Sequence, residues 1–100
     1  MALSVSDSFT SATDGAEFVP AGPFNAAVDF ASGTGVGTVQ LQAEMNPASG
    51  DFVAVDQWAN TDTDPTPREV RWHDHRCTFK FVCTAYTSGT IAAHARSGGY

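Results

Sequence analysis

The sequence predicts an all-β domain, and three observations carry that prediction. Apolar and polar residues alternate with period 2 from end to end, as half-buried strands require. No window of about eleven residues carries the i, i+3, i+4, i+7 spacing of an amphipathic helix. Clusters of Gly, Pro, Asn and Ser interrupt the alternation roughly every ten residues, which is the punctuation of short antiparallel strands.

Taken in order, residues 3–11 and 16–19 are the first strand candidates. The first eight residues are read separately, as an N-terminal arm or an edge strand, with residues 9–100 forming a single domain. Phe24, Ala26, Val28 and Phe30 then alternate with Asn25, Ala27 and Asp29, and Val39, Leu41, Ala43 and Met45 with Thr38, Gln40, Gln42 and Glu44. Turn formers fill Asn46-Pro47-Ala48-Ser49-Gly50-Asp51, and a strand from Phe52 to Trp58 follows. Residues 59–67 are polar and twice broken by proline, so they read as a surface connection. Arg68 to Trp72 is a short mixed run, and His73-Asp74-His75 turns the chain into a strand over 76–85. Its inner side is expected to hold Cys77, Phe79, Phe81, Cys83 and Ala85. Last comes Thr90–Arg96, with Ile91, Ala93 and Ala95 on one side and Ala92, His94 and Arg96 on the other. About seven or eight strands in this spacing predict a small antiparallel β-sandwich or barrel, Ig-like or jelly-roll-like.

One pentapeptide pattern occurs twice, as Phe30-Ala31-Ser32-Gly33-Thr34 and Tyr86-Thr87-Ser88-Gly89-Thr90. Each copy lies between two alternating runs, so both are expected to be β-hairpin loops in which Gly33 and Gly89 permit the required backbone twist. A nucleophilic role for Ser88 is not supported, because no GxSxG elbow surrounds it and Ser32 shares its context. Gly33-x-Gly35-x-Gly37 precedes a strand rather than a helix, which removes its likeness to a dinucleotide fingerprint.

Charge is segregated along the chain. Residues 1–64 hold nine Asp or Glu and no Lys or Arg, while residues 65–100 hold all five basic side chains against two acids, giving −9 and +3 and a net −6. Complementary halves suit packing against copies of the chain or against a charged neighbour. They do not supply the broad basic face that nucleic acid demands. No charged-then-apolar leader is seen, and runs such as Phe52-Val53-Ala54-Val55 are too short to span a bilayer, so no membrane partner is expected.

Cys77 and Cys83 are six residues apart in one strand, about 20 Å at ~3.3 Å per residue, beyond the ~7 Å reach of a bridge. They are expected to be buried free thiols. His73 and His75 project to one face if extended, and with His94 they are the weak candidates for a metal site. The acids Asp51, Asp56, Asp62 and Asp64 lack the spacing of a calcium loop. No cofactor is expected. Candidate contact residues are Leu3 and Val5 on the arm, the tryptophans Trp58 and Trp72, and the neighbouring Arg68 and Arg71.

Phe24-Asn25-x-x-Val28, then Ser32-Gly33-Thr34, then Gly37-Thr38-Val39-Gln40-Leu41-Gln42, and finally Cys83-Thr84-Ala85-Tyr86-Thr87-Ser88-Gly89-Thr90 follow one another in a fixed order. In that order they resemble a group of short all-β proteins encoded among virion genes of tailed bacteriophages, over about residues 20–95. The resemblance implies a non-enzymatic virion structural protein. The expectation is a capsid decoration (cement) protein, made in the host cytoplasm and docked as a homo-oligomer on the major capsid protein at the capsid exterior. The N-terminal arm or an exposed edge strand would add to a neighbour's sheet. The alternative is a neck-, tail- or fibre-associated β module whose loops contact another tail protein or a host glycan. A metal-dependent enzyme built on His73, His75 and His94 is a third class.

Overall fold

The structure, a computed structural model, describes residues 3–20, 22–30, 35–44, 49–60, 68–70 and 77–97. Their regular elements are all strands: β1 Ser4–Phe9, β2 Phe24–Asp29, β3 Val36–Glu44, β4 Phe52–Ala59, β5 Arg68–Val70, β6 Thr78–Ser88 and β7 Ile91–Arg96. They form two antiparallel sheets, a four-stranded one in the order β1-β7-β2-β5 and a three-stranded one in the order β4-β3-β6. Neither closes into a barrel.

Alternation sets which residues turn inward. The four-stranded sheet contributes Phe24, Ala26 and Val28 from β2 and Ile91, Ala93 and Ala95 from β7. The three-stranded sheet contributes Val39, Leu41 and Ala43 from β3 and Phe79, Phe81 and Cys83 from β6, and all of these form one core. Each large side chain so buried contributes ~1.5–3 kcal/mol. Aromatic rings join the sheets: Phe24 meets Phe79 edge to face at 5.2 Å, and Phe18 lies 5.6 Å from Phe24 and 6.0 Å from Phe79 and from Phe81.

The hairpins expected at the two Ser-Gly-Thr copies are not formed. β2 belongs to one sheet and β3 to the other, and the same holds for β6 and β7, so each copy marks a crossing between sheets. Alternation tells which side of a strand is apolar but not which strand lies beside it, and two apolar faces meet equally well across a core as along a sheet. Gly89 has φ +77°, the left-handed region in which glycine carries no Cβ penalty. Ser32–Thr34 lie outside the described residues. The ends of that corner are joined where the Gly35 N–H donates to the Phe30 carbonyl at 2.8 Å. The two corners pack together, since a Cβ on Gly35 would stand 2.7 Å from the Thr90 carbonyl oxygen.

A true hairpin joins β3 to β4, where the Gly50 N–H donates to Glu44 Oε2 at 2.8 Å and closes the turn. Ala85, expected on the inner side of β6, is exposed. The β3–β6 register shifts between Thr38, paired with Ala85, and Val39, paired with Cys83, and the extra residue reverses the phase of the strand.

Residues 13–18 form no strand. They run along the outer edge of β6, held by Cys83 N–H to Thr13 O at 2.9 Å, Gly15 N–H to Phe81 O at 2.7 Å and a reciprocal pair between Phe18 and Phe79 at 2.8 Å. β1 continues across position 8 as a single edge strand, extended by Ser97 N–H donating to Leu3 O at 3.1 Å.

Candidate functional site

Several of the sequence-derived contact and metal residues are placed by the fold. Trp58 is 0% exposed, its ring 6.4 Å from that of Phe81, so it fills the core and has no surface to offer a partner. This corrects its assignment as a contact residue. Leu3 and Val5 are half-buried against the domain's own core rather than carried on a free arm. Arg68 contributes its backbone to β5, and Arg71, Trp72, His73 and His75 lie outside the described residues. His94 sits mid-strand in β7, its Nδ1 3.0 Å from Ser6 Oγ on β1. Among the described residues no group of three His, Cys, Asp or Glu side chains is placed to hold a metal.

Strand addition at the sheet edges meets an obstacle at each one. On β1 the side chain of Asp7 lies on the core side between Val5 and Phe9, and its Oδ2 is buried with no hydrogen-bond partner among the described residues. An inward-turned charge is a device that discourages pairing at an edge. The edge of β6 is already occupied by residues 13–18. β4 carries a bulge opposite Leu41 and Gln42, and β5 is three residues long. Among the described strands, the sheet faces are therefore more open to association than the edges.

These two outer faces differ. On the three-stranded sheet the polar groups satisfy one another. Gln40 Nε2 donates to Gln57 Oε1 at 3.0 Å, and Gln42 Nε2 donates to Gln40 Oε1 at 3.0 Å. Lys80 Nζ is 2.9 Å from Asp14 Oδ2 and 4.2 Å from the centre of the Phe52 ring.

The outer face of the four-stranded sheet is lined with small residues, and Ser6 and His94 are joined across it. Its cross-strand rows are Ser4–Arg96–Asn25–Glu69, Ser6–His94–Ala27 and Ser8–Ala92–Asp29. Because Ala27 stands between larger neighbours, Asn25, Ala27, His94 and Arg96 enclose a groove of about 350 Å³. Arg96 has no ion pair among the described residues, and the Asn25 amide has no hydrogen bond among them. The guanidinium, the amide NH₂ and the free Nε2 of His94 surround an apolar floor. Such a set suits a carboxylate carried beside a small apolar group.

Arg96 and Asn25 were missed as site residues. Alternation put His94 with Arg96 on one face and Asn25 with Ala27 on another, but only the pairing of β2 with β7 makes those faces one surface. The two cysteines are buried free thiols. Burial pushes the Cys83 thiol above its ordinary pKa, and its Sγ lies 3.3 Å from the Ala85 carbonyl.

Compared with protein-family models, with curated proteins and with solved structures, the chain finds no match.

Proposed function

We propose that this chain is a non-enzymatic structural protein of a tailed-phage particle, a capsid decoration protein that docks on the major capsid protein at the capsid exterior and stabilises the shell. Within that reading the two sheets are the layers of a β-sandwich of about seven or eight strands. The protein is made in the host cytoplasm and works as a homo-oligomer, without cofactor, nucleic acid or membrane.

One observation carries the proposal: the edges of both sheets are obstructed, while the outer face of the four-stranded sheet presents Arg96 and Asn25, without partners among the described residues, beside a groove floored by Ala27. A surface of that kind associates by its face, as repeated docking on a lattice requires. The segregation of charge, −9 against +3 between the two parts of the chain, supplies complementary potentials for orienting neighbours. The ordered likeness to short all-β virion proteins supports the same reading. Many copies, each burying on the order of 1,000 Å² or more, would resist the outward pressure of packed DNA.

Purified particles of the source virus test it. A gel quantified against the major capsid band is expected to give hundreds of copies per particle. A dozen or fewer would support the neck, tail or fibre module instead, and none would end the virion reading.

A further inference from the structure

The chain itself carries the complement of the groove. The exposed large hydrophobics among the described residues are Val19, 52% exposed, and Val53, 48% exposed. Each lies two residues beyond an exposed acid, in Glu17-Phe18-Val19 and Asp51-Phe52-Val53. In the first, Phe18 is locked into the core by paired backbone hydrogen bonds with Phe79, which turns Glu17 and Val19 outward together. In the second, Phe52 occupies the outer face under Lys80, so Val53 projects from the opposite side of its strand.

Spacing matches as well as chemistry. Glu17 and Val19 are two residues apart in an extended segment, about 6.6 Å, and so are the Arg96–Asn25 and His94–Ala27 rows of the groove. Glu17 has no ion pair among the described residues, and neither has Arg96.

We propose that the groove of Asn25, Ala27, His94 and Arg96 is a self-association site that takes the Glu17-Phe18-Val19 segment of a second copy. The Glu17 carboxylate accepts hydrogen bonds from Arg96 and Asn25, and the Val19 side chain lies on Ala27. Groove and segment occupy different surfaces, one on the face of the four-stranded sheet and one on the edge of the other. Made in one direction, the contact is head to tail and generates a ring or an open array; made reciprocally, it closes a two-fold dimer. A single exposed pair of this kind is weak and salt-sensitive. Repetition around a ring, or over a particle, raises its effective strength.

The inference rests on the docking reading above, and the two fail separately. Particles lacking the protein contradict that reading whatever its mass in solution. A monomer contradicts this contact even if the particles carry it.

The test is sedimentation equilibrium of the purified full chain at low salt, at concentrations up to about 1 mM. The mass of the wild-type protein is expected to rise with concentration. Glu17→Arg and Arg96→Glu are each expected to lower the association constant about ten-fold or more, since each sets like charges together. An equimolar mixture of the two variants is expected to regain association, because each then meets an opposite charge. Both side chains are at the surface, and an unchanged thermal midpoint verifies the fold; Glu17→Gln provides a milder loss in the same direction. Three results would overturn the proposal: a wild-type monomer throughout, a mixture no stronger than its parts, or Asp51→Arg disrupting association as much as Glu17→Arg.

Discussion

Phe24 of β2 and Phe79 of β6 meet edge to face across the core, ring centroids 5.2 Å apart and planes at 80°, and their contact ties one sheet to the other. Phe79 is also stacked on Phe18 at 6.0 Å, so a single ring serves both sheets and the segment that covers the β6 edge. Phe79→Ala is expected to lower stability by ~3–5 kcal/mol, a large share of what a domain of this size holds. Urea unfolding measures it. A loss below about 1 kcal/mol would mean that the sheets are held together elsewhere.

The corners between the sheets respond to two different substitutions. Gly89→Ala places a Cβ on a residue at φ +77° and is expected to cost ~1–2 kcal/mol, with Gly89→Asn costing less. Gly35→Ala is limited by space instead, because its Cβ would stand 2.7 Å from the Thr90 carbonyl oxygen, and ~1–3 kcal/mol is expected. Thermal midpoints of the two variants check both values. Were Gly35→Ala to match the wild type, the two corners would not be packed against each other.

Lys80 is held more by its neighbours than by its ion pair. Its side chain is 15% exposed and that of Asp14 is 60% exposed, so solvent screens the pair strongly. Asp14→Ala is expected to cost under ~1 kcal/mol, whereas Lys80→Ala also loses the Phe52 ring contact and the packing of its stem. Denaturation of the two variants at low and high salt separates the terms. Equal losses would put the weight on the ion pair.

Cys83 makes stability depend on alkaline pH. Its folded pKa lies above the ordinary 9.0, so the folded chain keeps the proton that the unfolded chain releases. That contribution is full below pH 9.0 and is lost as pH rises through the folded value. Denaturation midpoints of the wild type are expected to fall more steeply above that point than those of Cys83→Ala. Parallel slopes would contradict it.

Much of the fold is legible in the sequence because period 2 specifies faces. Phe24, Ala26 and Val28, Val39 and Leu41, Phe79 and Phe81, Ile91 and Ala93 are each buried on the side to which alternation assigned them. Neighbours are not legible in the same way. Nothing in the Ser-Gly-Thr pentapeptides distinguishes a hairpin from a crossing between sheets, since both need a glycine and two flanking strands. The bulge that turns Ala85 outward depends on β3 as much as on β6, and a local pattern does not contain it. The candidate site follows the same division. His94 and Arg96 share a face by sequence alone, but Asn25 and Ala27 join them only when β2 is laid beside β7. Trp58 invited a surface role by its type and was drawn inside by its register opposite Val39.

The proposed role is that of a domain acting through its outer faces as part of a shell. Particles made without the protein are the direct test, followed by DNA release on heating, before and after purified protein is added back. The expected result is release at a lower temperature without the protein and recovery of the original temperature on its return. Release at the same temperature in all three preparations would contradict the account.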